Sequence, residues 1–284
     1  MNYALIALTA LFSTFQNIFK QKYNDRCSHG TYFFSGTISL FAMLFFMAVN
    51  RDWGYRAALL LPSCLFAASY AAATVFVVLA IKYGSLTKTA LILSYSLLIP
   101  TGYGILFLKE SVGVALLLGL ALLAVSLWLT NNTDRRESAR GGWKWLIFVA
   151  LAFVGNGMCS AVQKWEQIRY GAEHQNMFMI VALAMVTVCM FVASAVTPER
   201  RLNTVTIRKG WWLALLCGAM NGAVNYLVIW LNSRVAASVM FPMLSGLGLV
   251  LVFLYSLLLR KEKFTHRQYV GYAVGLVSII LLNL

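Results

Sequence analysis

The sequence predicts an all-α membrane protein, with ten transmembrane helices arranged as two inverted five-helix repeats. Three observations predict it. Apolar residues make up 61% of the 284, charged residues only 11%, and mean hydropathy is +0.76. A soluble domain is about 45–50% apolar and about 25% charged, so this inventory cannot cover a water-facing surface. The apolar residues also fall into ten runs, each near the roughly 20 residues a helix needs to cross a bilayer. Finally, the two halves repeat the same residues at constant spacing. Together these exclude a cytosolic enzyme, a secreted disulfide scaffold and a disordered chain. A transmembrane β-barrel, whose strands alternate polar and apolar residues, is excluded as well.

The first five runs cover 2–20, 31–49, 60–81, 86–108 and 112–130. The first stays uncharged until Lys20 and carries Thr14, Asn17 and Gln21 at helical spacing, on one face. No basic leader precedes it, so no cleavable signal peptide is expected. The third run opens on Pro62, tolerated in a first turn. It then passes through Ala67, Ala68, Ala71 and Ala72, with Ser69, Tyr70 and Thr74 among them. The fourth holds Tyr95, Pro100, Gly102 and Gly104. A short turn with Lys109-Glu110 leads into the fifth.

Residues 131–142 (NNTDRRESARGG) form the longest polar stretch and link a first half, 1–130, to a second, 143–284. The second half contains runs 143–164, 176–196, 210–231, 235–259 and 267–284. Trp143, Trp145, Trp211 and Trp212 stand near run ends, the usual depth for interfacial aromatics. The sixth run carries Asn156, Cys159, Ser160 and Gln163. The eighth carries Asn221, Asn225, Tyr226 and Trp230 beside Gly218 and Gly222, small residues that allow close helix approach. Pro198 follows the seventh run, and Pro242 with Gly246 and Gly248 lies inside the ninth. The five cysteines show no metal-ligand spacing and read as small core hydrophobes.

Shifting the first half by 152 superimposes Lys109-Glu110 on Lys261-Glu262, Gly119 on Gly271 and Lys82 on Arg234. Shifting the opening run by 142 superimposes Gln21-Lys22-Tyr23 on Gln163-Lys164-Trp165. An odd number of spans per copy makes the second copy enter from the opposite side, the inverted repeat of many secondary transporters. Ten helices as 5+5, a Lys-Glu turn between the fourth and fifth, and a glycine nine residues after that Glu in both halves resemble the EamA-like branch of the drug/metabolite transporter superfamily. The resemblance spans essentially the whole chain. It implies a secondary transporter of small metabolites in the plasma (inner) membrane, with a cavity lined by helices 1, 3, 4, 6, 8 and 9. One departure is Ala90, where the repeat would place a proline matching Pro242.

Polar side chains that interrupt apolar runs are costly unless they face the bundle interior or a water-filled path. Thr14, Asn17, Gln21, Asn156, Ser160, Gln163, Asn221 and Asn225 are therefore the substrate-cavity candidates, with Tyr70, Tyr95, Tyr226 and Trp230 as aromatic walls. The alternative is that they only hydrogen-bond neighbouring helices. Pro100, Gly102, Pro242 and Gly246 are hinge candidates, the two prolines lying inside their runs at similar depth.

All nine acids fall at run ends or in loops. That argues against a multidrug exporter of lipophilic cations, which needs a buried carboxylate. Lys20, Lys22, Lys82, Lys88, Lys164 and Arg234 are expected to snorkel to the interface. Any that instead face a cavity mouth would favour an anionic or zwitterionic substrate, and neutral polar compounds fit too. The loops after the second, fourth, sixth and eighth runs hold six of the 23 Lys and Arg residues: Arg51, Arg56, Lys109, Lys164, Arg169 and Arg234. The positive-inside rule then puts both termini outside, whereas the family resemblance implies cytoplasmic termini.

The expected function is secondary active transport of a small polar metabolite by alternating access, as a monomer or homodimer in the lipid bilayer, with no cofactor, metal or nucleic acid. No Walker A motif is present. A multidrug exporter, a lipid-linked-sugar flippase and an intramembrane enzyme are the alternatives.

Overall fold

A computed structural model describes residues 2–27, 30–54, 56–83, 89, 92–93, 95–110, 113–130, 142–198, 200, 203–258 and 265–281. Among them the fold is all-helical, with ten helices of ten residues or more. They are α1 (Asn2–Cys27), α2 (Thr31–Val49), α3 (Leu60–Tyr83), α4 (Leu98–Phe107), α5 (Val114–Thr130), α6 (Trp143–Tyr170), α7 (Gln175–Val196), α8 (Trp211–Asn232), α9 (Ala237–Leu258) and α10 (His266–Leu281). Five helical spans are long and apolar enough to cross a membrane: Thr31–Val49, Ala57–Val77, Trp143–Tyr170, Gln175–Val196 and Ile207–Asn232. Three shorter apolar stretches fall in α4, α5 and α9. The linker 131–141, Ala90, Lys88, Lys261 and Glu262 lie outside the described residues, as do the side chains of Gln21 and Lys82.

Two helices run past their expected ends. α1 continues to Cys27 and α6 to Tyr170, 28 residues in all for α6. At 1.5 Å per residue α6 is about 42 Å long, beyond the roughly 30 Å of bilayer hydrocarbon. In its polar last turns Gln163, Lys164, Glu166 and Gln167 are buried, whereas Arg169 is exposed. It stops at Gly171, whose φ of 79° an L side chain rarely adopts and whose N–H donates to Gln167 O.

Pro100 corrects one expectation. It stands in the first turn of α4, after a 3₁₀ turn at Tyr95–Leu97, rather than in a helix interior. Proline has no N–H to donate and clashes with the preceding turn, so a 3₁₀ turn rather than regular α-helix leads up to it, with helical residues again at Ile92 and Leu93. Pro242 is interior, within α9.

Helices from the two halves interleave. The broadest contacts are α3 with α6, α5 with α10, α2 with α7 and α1 with α8; α2–α8, α3–α7, α1–α9, α4–α6 and α4–α9 follow. Small residues permit the closest approaches. A Cβ on Gly155 of α6 would lie 2.8 Å from the Ala73 nitrogen and 2.9 Å from the Ser69 carbonyl oxygen. At Gly218 of α8 one would lie 2.9 Å from Ile38 O. The α5–α10 seam is closed by two hydrogen bonds of the same kind. Ser126 Oγ donates to Gly271 O and Ser278 Oγ to Gly119 O, each at 2.7 Å. The largest core cluster joins Phe46, Phe66, Phe178, Met179, Leu183 and Ile229. Outward, Leu61, Leu106, Val196 and Ile280 are exposed, an apolar surface suited to lipid.

Candidate functional site

A chain of polar side chains crosses this apolar interior. Gln163 on α6 is 3% exposed, and its Nε2 donates to Asn225 Oδ1 on α8 at 2.8 Å. Asn225 Nδ2 donates in turn to Asn221 O, 2.9 Å away, and to Asn221 Oδ1, 3.1 Å away. The Tyr70 hydroxyl of α3 faces Asn221 and Ser39 of α2, so four helices contribute. Tyr226 flanks the chain, its ring 6.3 Å from both Phe45 and Phe46. Amide and hydroxyl groups of this kind both donate and accept, so they can exchange partners with a polar solute at little net cost.

One end of this chain leads to a lock. Glu110, in the α4–α5 turn, places Oε1 2.8 Å from the Ala237 nitrogen and Oε2 2.8 Å from the Ser238 nitrogen. Both N–H groups belong to the first turn of α9, where no intrahelical acceptor exists and a carboxylate is favoured. Lys164 of α6 lies 3.9 Å from Glu110 Oε1. Its Nζ donates to Asn232 O at 2.7 Å and to Val235 O at 3.1 Å. Five segments thus meet on one carboxylate and one ammonium. The turn that aims Glu110 depends on Lys109, a non-glycine residue at φ 52°. It also depends on Gly104, where a Cβ would collide with Glu110 Oε2 and lie 2.9 Å from Ala237 Cβ.

Of the expected site residues, Tyr70, Gln163, Asn221 and Asn225 come together, with Tyr226 beside them. The side chain of Gln21 lies outside the described residues, and the remaining candidates make other contacts. Thr14 is buried and donates to Ala10 O within its own helix, whereas Asn17 is exposed. Asn156 is also exposed, and its Nδ2 donates to Ser96 Oγ at 2.6 Å. Ser160 is half-buried. Tyr95 donates to Ala124 O of α5 and lines a narrow lateral cavity with Leu97, Leu98, Leu123 and Pro242. Trp230 carries the Arg234 guanidinium 3.7 Å above its ring. Gly102 faces open space and Gly246 is buried.

Two residues correct the charge reading. Lys164 does not snorkel: it is 5% exposed and turned into the lock. Glu166, expected at a run end or in a loop, is 0% exposed and lies inside α6, which continues past it to Tyr170. The repeated Lys-Glu pair was the sequence signal for Glu110. Unbroken helix through Gln163–Gln167 was the one available for Glu166.

No family model matches the sequence. No curated protein matches it either. Twenty-eight chains of solved structures match the fold. One, described only as the crystal structure of a protein, aligns with a TM-score of 0.71 at 13% identity, covering 99% of this chain and 96% of its own. At that identity the likeness concerns the fold alone.

Proposed function

We propose that this chain is a secondary active transporter of the drug/metabolite type, moving a small polar metabolite across the plasma (inner) membrane by alternating access. In this reading the ten helices span the bilayer as two inverted five-helix repeats. The observation that carries it is the buried polar chain Tyr70–Asn221–Asn225–Gln163, drawn from helices of both halves within an otherwise apolar bundle. Polar groups are expensive inside lipid-embedded helices, so their presence marks a substrate path. The repeat reading is supported by the packing: adding five to each helix number turns α1–α8 into α6–α3, α2–α8 into α7–α3 and α1–α9 into α6–α4. It is supported also by the α5–α10 seam, where Gly119 and Gly271, like Ser126 and Ser278, are related by the 152-residue shift.

Mechanism follows from the lock. Glu110 and Lys164 tie α4, α6, α8 and α9 together at one end of the bundle. A solute reaching the polar chain from the other end would exchange hydrogen bonds with Gln163. That residue directly precedes Lys164, so binding and unlocking share one stretch of α6.

A thermal-shift screen of detergent-purified protein against metabolites sorted by charge tests this. A ligand at about 100 times its dissociation constant adds roughly 2.7 kcal/mol. Stabilisation by anionic, zwitterionic or neutral polar compounds, lost in Asn225→Ala, supports the reading. A second reading, a proton-driven exporter of lipophilic cations, gains one observation, the buried carboxylate of Glu166. Hits confined to lipophilic cations would favour it instead.

A further inference from the structure

The end of α6 hides more polar groups than the site above uses. Glu166 has 0% of its surface exposed, and among the described residues no donor reaches either carboxylate oxygen. In the same stretch Gln167 Oε1, both ring nitrogens of His174, Gln175 Oε1 and Asn176 Oδ1 are buried without a partner among the described residues. Gln163 Nε2 lies 3.6 Å from Met179 Sδ, a contact between α6 and α7. From Glu166 to Asn176 the chain thus holds a nook of buried polar groups, in which a neutral His174 ring carries one N–H donor and one acceptor.

Charges around the nook are few. On α6, Lys164 is engaged by Glu110 and two carbonyls, and Lys144 and Arg169 are exposed. The α6–α7 turn adds exposed Glu173 and buried His174. α7 and α8 contain no charged residue, and the single charge on α3, Lys82, is at its opposite end. Arg56 and Arg234, which flank α3 and α8, are exposed. Tyr170 packs edge-on against Trp165. Among the described residues no cation comes within 4.0 Å of the Glu166 carboxylate.

An ionised carboxylate shut away from water, donors and cations costs several kcal/mol or more, and such a group neutralises instead. Among the described residues no cluster of three His, Cys, Asp or Glu could hold a metal ion there. We propose that Glu166 is a proton-binding site, filled in the locked arrangement and emptied when the end of α6 swings away. On locking, the carboxylate takes one proton from water and becomes a neutral acid; on unlocking, that O–H bond breaks and the proton returns to water. Lys164 and Glu166 are two residues apart on one helix, on different faces, so a displacement of that helix end moves both groups. Using this proton to drive transport rests on the transporter reading, but the protonation does not.

Infrared spectra of the full-length protein in liposomes, recorded across a pH titration in H2O and D2O, read the proton directly. The expected result is a carboxylic-acid carbonyl band that shifts on deuteration and vanishes as pH rises. It is absent in Glu166→Gln and moved in frequency in Glu166→Asp. Should Glu166→Gln fail to fold, the aspartate variant still decides: a band left unmoved overturns the proposal. So does the same titrating band in wild type and Glu166→Gln, or no acid band at any pH. Loss of the band on adding NaCl at fixed pH would assign the nook to a metal cation and also overturn it. A titrating Glu166 in a protein that moves no solute would count against the transporter reading alone.

Discussion

α1 and α6 carry the same signature, Gln-Lys followed by an aromatic residue, at 21–23 and 163–165, yet their lysines have opposite fates. Lys164 is 5% exposed and held by Glu110 and two carbonyl oxygens. Lys22 is exposed, with no ion pair among the described residues. Their aromatic neighbours show that both helix ends are nonetheless packed. Tyr23 stacks on Phe34 at 3.6 Å and fills the space beside Gly210, and Trp165 meets Tyr170 edge-on. The difference thus lies in the electrostatic partner, not in the core. Two related sequences in one chain, one bolted and one loose, are what a machine with two alternating states would display in one of them.

The sharpest way to break the contrast is Glu110→Ala. It removes the cap on α9 and leaves Lys164 buried without its counter-charge, a loss of about 3–5 kcal/mol, read as a lowered unfolding midpoint in detergent. Gly104→Ala reaches the same lock sterically. Its Cβ collides with Glu110 Oε2, and overpacking of this kind costs about 1–3 kcal/mol. In the double variant Gly104→Ala/Glu110→Ala the two losses should not add, since the carboxylate the methyl displaces is already gone.

Smaller effects sharpen the comparison. Ser126→Ala and Ser278→Ala each remove one inter-helix hydrogen bond, and should cost the same, about 0.6 kcal/mol. Unequal losses would show that the seam, like the lysines, differs between halves. Smallest of all, Lys22→Met should stay within about 0.5 kcal/mol of wild type, as exposed substitutions do, whereas Lys164→Met strands Glu110 without its lysine and lowers the midpoint measurably.

Much of the helical framework was legible in the sequence because apolar runs of bilayer length leave few other folds. The 152-residue shift pairs Gly119 with Gly271, and each accepts a serine hydroxyl at the α5–α10 seam. Tyr70, Gln163, Asn221 and Asn225 were legible as polar interruptions. Lys164 and Glu166 were not, because whether a polar helix end meets water depends on what folds over it. For Lys164 the cover comes from the α8–α9 turn, which the residues around 164–166 do not encode. Pro100 was misplaced for a related reason: a proline inside an apolar run can mark where a helix begins as readily as where one bends.

The most direct test of alternating access reads both ends of the molecule at once. In a background with the five cysteines replaced, Lys22→Cys and, separately, Val235→Cys are labelled with a water-soluble maleimide, with Glu110 intact and in Glu110→Gln. Rocking requires opposite changes: on unlocking, labelling rises at position 235 and falls at position 22. A rise at both positions, or a change at 235 alone, would mean that the lock frays locally, and would contradict the account.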